Sequence, residues 1–370
     1  MAKSWEELGR RIAQARMQQG MTQVELAQAM EIDRTAISKM EGGERKVDTF
    51  ELAQLARVLQ RSLSWFVTDP SPAVVSRRDG RQDAYRAEDL LLEELVQDVE
   101  QLVELGALEP PDLAPISIAS VDEAETAAAK ARRCAGLNDA EPVWGVVKVV
   151  ERLGLYSFVL RGSEEATFDG SYLSLQRGGV ALINGAVDSG RRRFTIAHEL
   201  GHHMLDDEYS AEWVVPPGGS EAEKIINAFA VHFLLPRAGL RRRWEALLGA
   251  EAPRIAAVHL AIEYGVSWSA LCAQLHRVGC FTVQQHEELK VQKPTSLELA
   301  EYGLQVRDDV SAPMVPPSYA VAVTKALRKG KLGPDRALEL LRGTVLEVDL
   351  PGPSELSLEQ MTAELAPLQG

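Results

Sequence analysis

The chain has 370 residues, which predicts two or three domains, and its net charge of −14 excludes a protein that binds nucleic acid along its whole length. The first 68 residues hold 10 Lys and Arg against 9 Asp and Glu, so the excess of acid lies downstream and the N-terminal end can meet DNA. No apolar run approaches ~18 residues, no apolar leader follows Met1, and the three cysteines lack pair spacing, so we expect a cytoplasmic protein without a membrane partner.

Residues 1–68 are predicted to form a helix-turn-helix domain of five short helices. Thr22 and Glu25 have the spacing of a capping box, which places the start of the second helix here. A third helix is expected over 34–41, with apolar residues inside, and Gly42-Gly43 ends it. In this motif the second of two linked helices enters the major groove, with its first residues at the base edges.

The side chains expected to contact double-stranded DNA lie on or beside these two helices. Arg34 can bind guanine through two hydrogen bonds, and Gln23, at a helix N-terminus, is placed for a phosphate. The full set of predicted DNA contacts is Gln23, Arg34, Thr35, Ser38, Lys39, Arg45 and Lys46. The near-neutral charge of the segment leaves a small helical bundle that binds protein as the alternative.

Segment 8–66 resembles the helix-turn-helix domains of the Cro/CI-type (XRE) repressors. The resemblance is carried, among others, by Thr22-Gln23, by the run Thr35 to Ser38 and by the run Glu41 to Arg45. It implies an operator in double-stranded DNA as the partner, and we expect the protein to bind the operator as a homodimer.

Residues 69–119 are predicted to be a linker followed by an acidic helix. Asp69-Pro70-Ser71-Pro72 breaks the helical pattern. An amphipathic helix is expected over 82–107, with Leu92, Leu95 and Val99 on its apolar side. We interpret this helix as a spacer or a dimerising element.

Residues 120–290 indicate a domain of helices around a small sheet. Three strand-like runs cover 155–160, 171–175 and 180–184, and helices precede and follow them. The fold class is therefore predicted to be mainly α with a small sheet (α+β). The run 180–184 is expected to be an edge strand that pairs with an extended substrate.

His198 and His202 lie four residues apart on a helix predicted over 192–205. At this spacing both imidazoles leave the same face of the helix, so they can hold one Zn²⁺. Glu199 is rotated by about 100° from His198, so it can reach a water on the metal without being a ligand and act as general base. For this five-residue pattern alone, a chance match on an amphipathic helix is the alternative.

A catalytic zinc needs a third protein ligand, and the helix predicted over 220–235 offers two carboxylates. Glu221 and Glu223 lie about 200° apart around this helix, so only one of them can face the metal. We prefer Glu223, because Asn227 lies one turn later on the same face. Asn227 could orient a ligating histidine through a hydrogen bond to the ring nitrogen that does not bind the metal.

The run Arg193 to His202 and the block Glu223 to Pro236 resemble the two motifs of the ImmA/IrrE family of zinc metallopeptidases, which have a zincin-like fold. The resemblance implies His198, His202 and Glu223 as zinc ligands and Glu199 as the base. It also implies a protein substrate, because these enzymes typically cleave a repressor, often one with a helix-turn-helix. Ile226 departs from the family pattern, which usually has alanine before the asparagine.

Residues 291–370 carry the least information. Two short helices are expected over 318–341, and a Pro- and Glu-rich tail over 350–370 is predicted to be poorly ordered. We also consider the hypothesis that this C-terminal segment is a steric cover over the active site.

Together these features predict a DNA-bound regulatory protease that cleaves a regulator protein or its own chain. The alternatives are a transcription factor whose zinc domain is a sensor or a folding element, and an antitoxin-like regulator that acts through a partner protein. Retention of Glu199 favours the protease, because a structural zinc site requires no base.

Overall fold

The computed structural model describes residues 4–59, 61, 63–67, 87–113, 116, 118, 120–162, 168–205, 221–249 and 251–351. The predicted linker after Asp69, the first residues of the predicted acidic helix and almost all of the predicted tail lie outside these ranges. The chain divides into two compact units, residues 1–97 and residues 98–370.

The first unit contains the five predicted helices. These are α1 (Trp5–Gln18), α2 (Gln23–Ala29), α3 (Arg34–Glu41), α4 (Thr49–Val58) and α5 (Leu63–Val67). Thr22 with Glu25 and Asp48 with Glu51 form complete capping boxes, which satisfy the first amides of α2 and α4.

Helices this short are not stable alone, so packing has to hold the first unit together. Its core is apolar and includes Ile12, Leu26, Ile37, Leu55 and Phe66, all fully buried. Burial of each such side chain stabilises the fold by about 1.5–3 kcal/mol. Gly9 lets α1 approach the end of α3, because a Cβ at this position would lie 2.4 Å from the carbonyl oxygen of Met40.

The predicted acidic helix is present as α6 (Ala87–Glu104), which runs through the boundary between the two units. It ends three residues earlier than predicted, just before Gly106, which has a positive φ of 63°. The predicted apolar residues Leu92, Leu95 and Val99 are fully buried.

The second unit combines helices with one small sheet. After a short 3-10 turn (Val121–Glu123) it contains α7 (Ala124–Cys134), α8 (Val146–Glu151), β1 (Leu155–Leu160), β2 (Gly170–Ser174), β3 (Gly179–Asn184), α9 (Ser189–Met204), α10 (Glu221–Leu234), α11 (Arg237–Leu248), α12 (Pro253–Tyr264), α13 (Trp268–Arg277), α14 (Val283–Lys290), α15 (Ser296–Glu301), α16 (Pro317–Arg328), α17 (Pro334–Leu340) and a final 3-10 turn (Glu347–Asp349). The predicted α+β fold class is confirmed.

The sheet has the strand order β1-β3-β2, and this order corrects one prediction. β3 pairs in parallel with β1 and antiparallel with β2, so it is the central strand and not an edge strand. Both rows of its backbone groups are therefore occupied, and β3 cannot pair with a substrate. In the described part of the chain, β2 pairs with β3 alone, whereas the outer side of β1 forms a bridge between Val159 and Met314.

Helices cover both faces of the sheet. α9 lies on one face, where its residues Ile196, Ala197 and Leu200 share a fully buried core with Ala181 of β3. On the other face Phe158 of β1 packs edge-on against Tyr319 of α16, with ring centroids 5.0 Å apart. The alternation of side chains along each strand produces these two opposite apolar surfaces.

The C-terminal segment belongs to this fold, which argues against the hypothesis that it is a separable cover. Asp309 pairs with the buried Arg193 of α9, and Met314 exchanges two backbone hydrogen bonds with Val159. Further along, Arg336 and Arg342 both bind the carboxylate of Asp98 in α6, and that carboxylate is almost completely buried.

No single helix within the described ranges is long and apolar enough to cross a membrane. One bent pair, α12 and α13 at 113° to each other, meets the criterion together by length and composition only.

Candidate metal centre and nucleic-acid interface

Helix α9 carries the two histidines, and local sequence explains where it starts. The side chain of Asp188 accepts a hydrogen bond from the amide of Arg191 and caps the helix. The apolar stripe of α9 is anchored in the core, which fixes the rotation of the helix about its axis. His198 and His202 therefore leave one face together, towards α10.

α10 brings a carboxylate to these two rings. The Nε2 atoms of His198 and His202 are 3.2 Å apart. The carboxylate oxygens of Glu223 lie 3.6 Å from each of them, Oε2 from His198 and Oε1 from His202. Among the described residues these three form the group whose ligand atoms all lie within 4.8 Å of one another.

The geometry and chemistry of this cluster fit a divalent metal ion. Nitrogen and oxygen ligands about 2.0–2.1 Å from a tetrahedral zinc lie roughly 3.3 Å apart, and the observed separations are 3.2 and 3.6 Å. Two imidazoles and one carboxylate leave a fourth position open, as catalytic zinc sites do. The cluster can therefore hold a metal ion through His198, His202 and Glu223.

Asn227 links the first histidine to α10. Its Oδ1 lies 3.2 Å from His198 Nδ1, and its Nδ2 donates to the backbone carbonyl of Glu223 at 2.8 Å. Since the amide nitrogen is already a donor, Oδ1 accepts from His198 Nδ1, which leaves His198 Nε2 free of a proton and directed at Glu223. Burial, followed by the neighbouring His202, lowers the pKa of His198 to about 4, so its ring is neutral near pH 7.

Close contact between α9 and α10 depends on Gly201. A Cβ at this position would lie 2.9 Å from Cγ2 of Ile226 and 3.3 Å from Cδ1 of Phe229, both on α10. Gly201 therefore faces the helix that carries Glu223. Ile226, the departure from the family pattern, is the residue that fills this contact.

Glu199 is buried on α9 and lies against the start of the edge strand β2. A Cβ at Gly170 would meet its Oε1 at 2.7 Å and Cγ2 of Thr195 at 2.4 Å. Only 6% of Glu199 is exposed. The carboxylate predicted to be the base thus lies over the first residue of β2, on the face of the sheet that α9 covers.

Two further residues, Tyr172 and His203, lie beside the metal cluster. The structure brings them together, with Tyr172 Oη 3.1 Å from His203 Nδ1, and places the Tyr172 ring nearly parallel to that of His202. No spacing signal could have found this pair, because its members lie on a strand and a helix. His232, on the other side of α10, contacts the buried Gln274.

The predicted DNA-reading residues of α3 are accessible. Arg34, Thr35, Ser38 and Lys39 are all exposed, whereas Ile37 and Met40 on the opposite side are fully or almost fully buried. The side chains that a recognition helix would present to base edges thus lie on one open surface of the first unit.

The other predicted DNA contacts are partly engaged inside the domain. Gln23 Nε2 donates to Glu41 at 2.8 Å, and the same carboxylate binds the guanidinium of Arg16. Arg45 binds Glu51 at 2.5 Å, while Lys46 is exposed. Gln23 and Arg45 are therefore positioned by acidic partners, and their contacts with DNA stay predictions.

Two family models match the chain. A model of the IrrE N-terminal-like domain, a peptidase family, matches residues 151–276, and a helix-turn-helix model matches residues 12–66. No curated protein matches the chain. Among solved structures, PlcR from Bacillus thuringiensis, crystallised with a peptide and DNA, matches over 99% of this chain and 100% of its own at 12% identity and a TM-score of 0.18. The likeness to PlcR is too low to support an argument.

Proposed function

We propose that this chain, which carries an N-terminal helix-turn-helix domain and a downstream IrrE N-terminal-like domain, is a transcriptional regulator with zinc-dependent endopeptidase activity. The observation that supports the enzymatic part is the cluster of His198, His202 and Glu223 beside Glu199. A metal site of three ligands with a carboxylate base on the same helix has the composition of a hydrolytic centre.

A bound zinc ion would lower the pKa of a water and polarise the scissile carbonyl. Glu199 takes a proton from the attacking water and passes it to the leaving amine, so the carboxylate is restored at the end of the reaction. Asn227 holds the tautomer of His198 that has a free Nε2. The proposed ligand atoms of His198 and His202 on α9 and of Glu223 on α10 all lie within 4.8 Å of one another.

We propose that the substrate is an extended segment of a regulator protein that pairs with β2. The outer side of this strand has no neighbour among the described strands, and its first residue, Gly170, lies against Glu199. Main-chain hydrogen bonds to an edge strand would hold the substrate backbone. The resemblance to the ImmA/IrrE family favours a helix-turn-helix repressor as the substrate, with the chain's own linker as the second candidate.

The helix-turn-helix domain would bind an operator in double-stranded DNA through α3. Arg34, Thr35, Ser38 and Lys39 supply donors on the exposed face of this helix. We propose that the protein works in the cytoplasm as a homodimer, since helix-turn-helix proteins of this kind read two half-sites with two copies.

The test of this function is cleavage of a helix-turn-helix regulator protein, and any such regulator encoded beside this chain is the first substrate to try. The zinc-loaded full-length protein is incubated with the purified regulator, and the products are identified by intact mass. Glu199→Gln is expected to keep about one zinc per chain and to lose cleavage. Cleavage by the Glu199→Gln variant would contradict the proposed role of this residue, and an intact regulator with the native protein would favour a zinc domain that acts as a sensor or an interaction module.

The ligand set is tested by metal content. Glu223→Ala is expected to lose most of the bound zinc, and Glu221→Ala is the matched control on the same turn of α10. Glu221 is 68% exposed and pairs with Lys224. Full zinc content in Glu223→Ala together with its loss in Glu221→Ala would overturn the assignment of the third ligand.

A further inference from the structure

His203, next to the proposed ligand His202, fills a narrow slot formed by two glycines. Its Nε2 lies 2.9 Å from the carbonyl oxygen of Leu153. A Cβ at Gly154, where φ is +85°, would come within 3.2 Å of this Nε2, and a Cβ at Gly179 would lie 3.0 Å from Nδ1. The residues on both sides of the His203 ring are therefore glycines, and neither has a side chain that would clash with the ring.

This slot determines which ring nitrogen carries the proton. A carbonyl oxygen only accepts hydrogen bonds, so Nε2 of His203 is the donor to Leu153. In the neutral ring Nδ1 is then an acceptor, and the hydroxyl of Tyr172 donates to it at 3.1 Å. Tyr172 is itself 5% exposed and lies over Gly179, where a Cβ would meet its ring at 2.5 Å.

The ring of Tyr172 in turn lies against the proposed zinc ligand. Its plane is 14° from that of His202, with centroids 6.4 Å apart. A hydrogen bond at one end and a parallel neighbour at the other prevent the tyrosine from turning without loss of contacts. His198 is oriented by the amide of Asn227, and the ring of Tyr172 lies beside the second imidazole, nearly parallel to it.

We infer that Tyr172 and His203 are positioning residues for the metal site: His203 locks Tyr172, and Tyr172 holds the ring of His202 in its liganding orientation. This inference rests on the proposed function, because it takes His202 to be a metal ligand. Neither residue touches the substrate or the metal in this role. Groups that orient metal ligands in this way typically contribute 10–100-fold to metal affinity.

The inference is tested by zinc affinity, measured by competition with a chromophoric chelator, in the full-length protein. Tyr172→Phe removes the hydroxyl and keeps the ring, and His203→Leu removes the nitrogen that accepts from this hydroxyl. Each is expected to weaken zinc binding by about tenfold. If His203 acts through Tyr172, the two changes remove the same hydrogen bond. The zinc affinity of the double variant is then also lowered by about tenfold, and not by about 100-fold.

Tyr172→Leu, which also removes the ring, is expected to be weaker than Tyr172→Phe. The matched control is Tyr156→Phe, a change at another buried strand tyrosine, on β1, which is expected to leave zinc affinity unchanged. The absorption bands of the Co²⁺-substituted protein give an independent readout. They are expected to shift in Tyr172→Leu and to stay constant in the control, since only a change around the ligands alters them.

The outcomes separate the two claims. If the native protein binds no zinc, the proposed function fails and the inference with it. If the native protein binds zinc and the Tyr172 and His203 variants bind it equally well, the inference alone is wrong, even where those variants lower the thermal stability of the metal-free protein. Should Tyr172→Phe fail to fold, Gly179→Ala displaces both rings without removing either group, and unchanged zinc affinity in that variant would equally overturn the inference.

Discussion

Arg193 of the metal-site helix is completely buried, and its guanidinium pairs at 2.5 Å with the carboxylate of Asp309, 116 residues further along the chain. The same guanidinium donates to the carbonyl oxygens of Val143 and Gly265. Asp309 also accepts from the amide of Gly145 at 2.6 Å, just before α8 begins. One ion pair thus joins α9, the start of α8 and the C-terminal segment.

Asp309→Ala is expected to destabilise the second unit by about 3–5 kcal/mol, because it leaves the buried charge of Arg193 without a counter-charge. The matched control is Asp139→Ala, which breaks the exposed pair with Arg133, whose two side chains are 55% and 56% exposed. The control is expected to cost less than about 1 kcal/mol. Urea unfolding of the full-length variants measures both values, and equal losses would contradict this account of the Arg193 pair.

Gly201→Ala is expected to weaken metal binding by pushing α10 away from α9. The new methyl group would lie 2.9 Å from Cγ2 of Ile226, three residues from Glu223. We expect a loss of about tenfold in zinc affinity, similar to the loss of an orienting contact. Ile226→Ala in the same protein is expected to restore most of the affinity, since it removes the atom that clashes.

Gly249→Ala is the control for this experiment, because its nearest neighbour is the carbonyl oxygen of Ala246 at 3.6 Å and it lies at the end of α11. An affinity loss in Gly201→Ala that Ile226→Ala does not reverse would show that helix separation is not the cause.

Arg34→Ala is expected to reduce the free energy that discriminates between bases at one base pair of the operator by about 1–3 kcal/mol. Arg45→Ala is expected to weaken binding to all sequences and to reduce its salt dependence. Arg57→Ala, which removes an exposed arginine from the last turn of α4, is the control. Electrophoretic shifts of fragments from the protein's own upstream region at several salt concentrations provide the measurement, and absence of any salt-dependent shift would favour a bundle that binds protein.

His232 is expected to make the second unit sensitive to acid. Burial, and then the nearby charges of Arg237 and Arg277, lower the pKa of His232 to about 4. The unfolded chain has the ordinary histidine pKa of about 6.5, so it binds more protons than the folded chain between these two values. Stability therefore falls as the pH is lowered from about 6.5 towards about 4.

His232→Gln is expected to flatten this part of the profile of thermal midpoint against pH. His259→Gln, at a partly exposed histidine that contacts Glu251, is the control and is expected to retain the slope of the native protein. An unchanged slope in His232→Gln would mean that other groups carry the acid sensitivity.

Local patterns were sufficient to predict the helices and the grouping of His198, His202 and Glu223 from the sequence. The capping box of Thr22 and Glu25, the shared face of His198 and His202, and the preference for Glu223 over Glu221 all follow from spacing along one helix, which depends only on near neighbours in the chain. The predicted fold class and the two family resemblances were confirmed for the same reason.

The features that only the tertiary structure decided, strand order and the partners of buried side chains, depend on contacts between residues far apart in the chain. Strand order placed β3 in the centre and β2 at the edge, because hydrogen-bond pairing between strands is non-local and three similar runs do not specify it. The partner of Arg193 lies beyond α15, and the partner of Tyr172 lies on another element. Periodicity shows which side chains a helix or strand buries, whereas the identity of the group that each one meets is set by how the elements pack.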